Sequence, residues 1–106
     1  MAGAYAPREL VDLPAQAGAQ YFFNMFYVYI IKSCNENWYY VGLSNNLDRR
    51  IREHNCKKVR STIAHAPFKL VYSKSFDTRV EARDYEKYLK VRSNKEKILR
   101  DLEYLV

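Results

Sequence analysis

Apolar positions become dense from Met25 onward. FYVYII is an unbroken run of β-branched and aromatic residues, WYYVG is a second such run, and the polar stretch SCNEN lies between them. Short apolar runs bounded by turn formers predict two strands paired as an antiparallel hairpin. In the next segment, SNNLDRRIREHN, the rhythm changes. Asn45 and Asn46 are candidate N-caps, Leu47 and Ile51 are four residues apart, and Asp48 falls in the first turn, which together predict a short helix. A basic loop, KKVRSTIAHAP, leads to FKLVYSKSF, where Phe68, Leu70 and Tyr72 alternate with polar or small residues as in a third strand. Thr78 and Glu81 then form a T-x-x-E capping box, predicting a helix from near Arg79 through EARDYEKYLK. Ile98, Leu99, Leu102 and Leu105 recur at helical spacing after the candidate caps Ser93 and Asn94, so a last helix is expected from Lys95. The order β-β-α-β-α-α describes an α+β fold: a small three-stranded, mainly antiparallel sheet flanked by helices.

Residues 1–24 lack such a pattern. They are rich in Ala, Gly and Gln, and Pro7 and Pro14 interrupt their apolar positions, so we read them as a flexible or weakly structured appendage to a domain at 25–106. A chain of 106 residues has room for one core, since domains of this size bury only about two-thirds of their unfolded surface. With 48% hydrophobic and 15% aromatic residues, including ten tyrosines, it is too apolar for a disordered chain. The net charge is +6; setting aside Arg8, Glu9 and Asp12 leaves 17 basic and 10 acidic side chains, or +7, on residues 25–106. That surface favours a polyanion, with nucleic acid and an anionic membrane as the usual candidates. No apolar run approaches the ~18 residues of a membrane span, and the N-terminus lacks the basic flank and apolar core of a secretory signal, so a cytoplasmic protein is expected. Cys34 and Cys56 are too few and too far apart for a zinc knuckle or a redox pair and read as reduced thiols.

Helix geometry singles out two residues of the first helix. At ~100° per residue, Arg50 and His54 lie within about 60° of Leu47 on the side shared with Ile51, whereas Arg49, Arg52 and Glu53 fall on the opposite, solvated side. A guanidinium turns inward where an anion or hydrogen-bonded partner receives it. In the capping-box helix, Ala82, Tyr85 and Leu89 mark the inner face, and Glu86 lies about 60° from its centre as a half-buried carboxylate, for which pairing with Lys87 or Lys90 is the plainer reading.

The tyrosines turn these fragments into a pattern. Tyr27-Val28-Tyr29 and Tyr40-Val41-Gly42 resemble the paired motifs of the GIY-YIG nuclease superfamily, with Tyr27 in place of the first glycine. The resemblance continues through NLDRRIREHN, where Arg50 and His54 match the family's helix arginine and a histidine of many members. In EARDYEKYLK, Glu86 matches its metal-binding glutamate. It spans residues 25–106 and is greatest to the stand-alone, single-domain bacterial members of UvrC-like type. The family often has an asparagine downstream of the glutamate; Asn94 is the candidate here, closer to Glu86 than the pattern asks, and also fits a helix cap.

The resemblance implies hydrolysis of DNA phosphodiester bonds by Tyr29, Tyr40, Arg50, His54 and Glu86, with one Mg²⁺ or Mn²⁺ held by Glu86, water and substrate phosphate. Arg50 would clamp the scissile phosphate. A tyrosine, Tyr29 in preference, would take a proton from the attacking water, assisted by His54 or by a neighbouring cation, while Tyr40 orients water or phosphate. Lys57, Lys58, Arg60, Lys69 and Lys74 are expected to form the approach for the DNA backbone. With no separate reader of base sequence, the expected substrates are single-stranded, branched or damaged DNA selected by shape. Trp38, Tyr39 and Tyr72 are candidate stacking platforms for unpaired bases, burial being the plainer reading of each. The rival reading is a nucleic-acid-binding module with the same fold and little or no catalysis.

Overall fold

A computed structural model of the chain describes residues 25–102. The expected appendage at 1–24 and the last position of the predicted helical rhythm, Leu105, lie outside them. The elements are β1 (Phe26–Ser33), β2 (Tyr39–Ser44), α1 (Leu47–Asn55), a single 3₁₀ turn (Ile63–His65), β3 (Phe68–Phe76), α2 (Arg79–Lys90) and α3 (Arg92–Asp101). This is the α+β plan anticipated from the pattern. Among the described residues no helix is long and apolar enough to cross a membrane, and both cysteines are free and exposed.

β1 is the middle strand of a three-stranded antiparallel sheet ordered β2-β1-β3. Its apolar run is unbroken because both of its faces are covered, and alternation divides its side chains between them. Val28 and Ile30, with Val41 of β2, pack against Ala82 and Leu89 of α2 and Leu99 of α3. On the other face Tyr29 and Ile31 join Phe68, with Tyr40 of β2 and Leu47 and Ile51 of α1 against them. The sheet therefore separates a core under α2 and α3, whose fully buried side chains are all apolar, from a second, mixed layer under α1.

In β3 the simple alternation fails. Ile30 pairs with Tyr72 but Ile31 with Leu70, so the extra residue Val71 forms a bulge that transfers Tyr72 to the α2 face while Phe68 and Leu70 stay on the α1 face. Cap chemistry sets the ends of the first two helices. The Asn46 side chain accepts from the Arg49 amide at 3.1 Å, and the Thr78 hydroxyl accepts from the Glu81 amide at 3.2 Å. The last helix begins earlier than Lys95. Extended Val91 alone separates α2 from α3, and an Arg92–Glu96 ion pair of 2.7 Å supports the first turn. Ser93 and Asn94 are thus inside the helix instead of capping it. The Asn94 amide donates to the Tyr88 carbonyl at 2.9 Å, satisfying the end of α2.

Candidate active site

The α1-facing layer holds the polar residues. At its centre a row of three cross-strand partners, Gly42–Tyr29–Ser73, runs across the sheet, so small residues flank the phenol on both sides. The role of Gly42 is steric. A Cβ at this position would overlap Tyr29 Oη and Cζ, because the phenol lies directly over the Gly42 backbone. Tyr29 is only 1% exposed.

Its hydroxyl is 2.8 Å from Nε2 of His54, in the last turn of α1. Nδ1 of the same imidazole is 2.8 Å from the Thr62 hydroxyl, which in turn reaches the Val59 carbonyl at 3.4 Å. The loop after α1 makes this contact by doubling back. Lys57 adopts a left-handed φ of 63°, rare for a residue with a side chain, and the turn closed by the Thr62 amide on Val59 brings the hydroxyl under the histidine. The Tyr40 ring meets the imidazole edge-on at a centroid distance of 5.3 Å, and Phe68 closes the opposite direction at 5.9 Å.

One turn before His54 on α1, the Arg50 guanidinium reaches the Tyr29 phenol and forms a 2.9 Å ion pair with Glu53, the largest influence holding its pKa up. The glutamate, expected on the far side of α1, bends back three residues to meet it and also lies 3.6 Å from Arg49. Burial pushes the Tyr29 pKa up to about 12 despite the opposing pull of Arg50. Burial, reinforced by the Arg50 charge, pushes His54 down to about 4. Both groups are therefore neutral near pH 7. Glu86 is near enough for its charge to act on the phenol. Its side chain is 15% exposed and makes ion pairs of 3.3 Å with Lys90 and 3.7 Å with Arg83, so the plainer pairing on α2 and proximity to the phenol hold together.

The structure thus brings Tyr29, Tyr40, Arg50, His54 and Glu86 into one neighbourhood. Asn94 stands apart, its amide engaged at the α2–α3 junction. The basic set divides. Lys57, Lys58 and Arg60 are exposed on the loop that carries Thr62. Lys69 is in register with Lys32, and Lys74 with Val28, so strand alternation places both on the α2 face; Lys74 lies 5.0 Å over the Tyr85 ring. Those two lysines thus start from the opposite face of the sheet to α1 and its loop, because the Val71 bulge resets the alternation along β3. Of the candidate platforms, Trp38 stacks on His65 at 3.8 Å, with the His65 ring held by Glu36 at 2.9 Å. Tyr39 has Lys32 over its ring, and Tyr72 shares a 2.8 Å hydroxyl contact with Tyr85 on the α2 face. Sequence reasoning missed Thr62 and Glu53. Thr62 lies in a loop without periodicity and carried no signal; Glu53 was legible only as a member of an i, i+3 pair with Arg50.

Residues 25–98 match the family model described as the GIY-YIG catalytic domain. The chain is similar to a UPF0213 protein of Clostridium perfringens, 40% identical over 76 residues that cover 70% of this chain and 80% of the relative. It is also similar to a UPF0213 protein of Bacillus licheniformis, 39% identical over 75 residues, covering 70% and 76%. Among solved structures, the solution structure of the UPF0213 protein BH0048 from Bacillus halodurans is 32% identical, with a TM-score of 0.47 over 72% of this chain and 83% of that one.

Proposed function

The chain belongs to the GIY-YIG catalytic-domain family, and we propose on that basis that it is a cytoplasmic, metal-dependent nuclease hydrolysing phosphodiester bonds in DNA. The observation that carries this reading is the buried contact of 2.8 Å between Tyr29 and His54 beside the Arg50 guanidinium. It is an arrangement for moving a proton next to a cation.

Phosphodiester hydrolysis needs a deprotonated water, a counter-charge for the non-bridging oxygens and departure of an alkoxide. A phenol with its pKa near 12 is not ionised at neutral pH and need not be. As water attacks, its proton passes to Tyr29 Oη while the phenol's own proton passes to His54 Nε2. The water oxygen forms the new bond to phosphorus, the bond to the leaving sugar oxygen breaks, and that oxygen takes a proton from solvent. An entering phosphate adds negative charge near the imidazole, which raises its basicity when the proton must be received. Arg50, whose side chain is 35% exposed, can leave Glu53 and fork onto two phosphate oxygens. Tyr40 orients the imidazole edge and the incoming group.

The residues present fit a hard divalent cation. Among the described residues no group of three or more His, Cys, Asp and Glu could enclose a metal, and the Glu86 carboxylate, 15% exposed, is held by long ion pairs of 3.3 Å to Lys90 and 3.7 Å to Arg83. One carboxylate with water and substrate phosphate is a donor set that suits Mg²⁺ or Mn²⁺, which keep most of their water. Bound there, the ion would neutralise phosphate charge. Lys57, Lys58 and Arg60 would draw in the backbone without reading bases, giving selection by strandedness or branching.

The test is cleavage of labelled single-stranded, duplex and branched DNA with Mg²⁺ or Mn²⁺. Wild-type protein is expected to cut at least one of them in a metal-dependent manner, and Glu86→Ala to lose cutting while its fold and DNA affinity persist. Binding without cleavage by wild type under all these conditions would put the binding-module reading in its place.

A further inference from the structure

Thr62 occupies the N-cap position of the 3₁₀ turn Ile63–His65, yet its side chain makes no capping hydrogen bond. A threonine in that position usually caps its own helix. Here the hydroxyl is fully buried and turned inward to His54 Nδ1 at 2.8 Å. We infer that Thr62 is a positioning residue that fixes the His54 tautomer, keeping the proton on Nδ1 so that Nε2 faces Tyr29 as the proton-accepting nitrogen. Its consequence for cleavage rests on the nuclease reading; its hold on the imidazole does not.

Counting donors and acceptors selects this tautomer. With the proton on Nδ1, each donor in the chain has an acceptor: the Tyr29 hydroxyl donates to Nε2, Nδ1–H donates to the Thr62 hydroxyl oxygen, and the Thr62 hydroxyl donates to the Val59 carbonyl. Reversing the tautomer reverses the chain. Nε2–H would then donate to Tyr29 Oη, and the Tyr29 proton would need another acceptor. The neighbouring Arg50 guanidinium cannot be that acceptor, because it only donates. A buried hydroxyl proton without a partner is disfavoured. The groups facing the imidazole are Tyr29 from β1, Tyr40 from β2, Arg50 and Glu53 from α1, Thr62 from the loop and the Phe68 ring from β3. Of these, Thr62 is the group that contacts Nδ1.

The experiment has two arms. Nitrogen NMR of histidine-labelled protein at neutral pH, with His65→Gln to assign the two signals, should show His54 with Nδ1 protonated and Nε2 bare. Thr62→Val, which puts a methyl group where the hydroxyl was, leaves one donor unpaired in either tautomer, Nδ1–H in the one and the Tyr29 hydroxyl in the other, and so should turn the single tautomer into a mixture, whereas Thr62→Ser should keep the proton on Nδ1. In single-turnover cleavage the valine variant should be about 100-fold slower, the scale of one acid–base contribution, with unchanged DNA affinity, and the serine variant near wild type. Wild-type His54 protonated on Nε2 overturns the inference without any variant having to fold. A valine variant as fully protonated on Nδ1 as the wild type overturns it as well. Should the NMR arm behave as expected in a protein that cuts no DNA, the hold of Thr62 on His54 stands and the nuclease reading falls.

Discussion

Replacing Gly42 with alanine tests the site through its tightest packing. The added Cβ would overlap Tyr29 Oη and Cζ, falling roughly 1 Å short of the ~3.5 Å at which such atoms sit comfortably. A rigid three-stranded sheet offers two reliefs: the β1–β2 ladder opens beside the Tyr29–Gly42 pair, or the phenol swings away. Overpacking of this size costs about 1–3 kcal/mol, which for a domain of this length lowers Tm by roughly 5–20 °C. The functional loss should be larger in proportion. A 1 Å swing stretches the 2.8 Å contact with His54 beyond hydrogen-bonding range, and misplacement of that order costs about 100-fold in rate. Ser73→Ala is the matching control on the other flank of Tyr29, since its buried hydroxyl has no hydrogen-bond partner among the described residues and its loss leaves nothing there unpaired. Thermal melts followed by circular dichroism and single-turnover cleavage would be compared for both variants. Wild-type melting and cutting by Gly42→Ala would refute the steric argument, and with it the claim that the glycine is there for the phenol.

Two further outcomes separate electrostatic roles. Arg50→Ala should remove transition-state stabilisation of about 3–5 kcal/mol, a loss of hundreds- to thousands-fold in single-turnover rate, whereas Arg49→Ala, with its side chain 51% exposed, should weaken binding modestly and mainly at low salt; equal losses would remove Arg50 from the phosphate. For pH, the unfolded chain protonates His54 near 6.5 but the folded chain only near 4, so the unfolded state binds more protons between these values and stability falls as pH drops through that window, by up to about 3 kcal/mol. Urea titrations from pH 7.5 to 4.5 should show this ramp in wild type and a shallower one in His54→Gln; parallel curves would mean that the imidazole is not held neutral by the fold.

Periodicity and cap chemistry carried the architecture, because β1, β2, α1 and α2 each combine a clean apolar rhythm with a turn or cap that ends it. Where two signals overlapped, reading was poorer. Ser93 and Asn94 are good caps by type, but Val91 already breaks the chain, and the helix starts ahead of them. In β3 a two-residue period placed Leu70 and Tyr72 together, and one bulged residue parts them. Within the site, the inward helix positions of Arg50 and His54 followed from ~100° geometry, and the juxtaposition with Tyr29 and Tyr40 from family resemblance. Thr62 depends on a loop reversal at Lys57 that no short-range pattern announces.

Tyr29 belongs to β1, which among the described residues is the strand hydrogen-bonded along both edges, from Tyr27 to Lys32 on the β2 side and from Phe26 to Ser33 on the β3 side. Thr62, which contacts the far side of its partner His54, and the cations Lys57, Lys58 and Arg60 belong to a segment with no ladder at all. In the language of native-state opening, the phenol can be released only with the whole domain, while the loop can open locally at far lower free energy. The molecule thus has two clocks. Exchange of the β1 amides should report global unfolding, and the loop beneath the imidazole can breathe many times within the lifetime of an intact sheet, admitting a bulky polymer without disturbing the strand that would act on it.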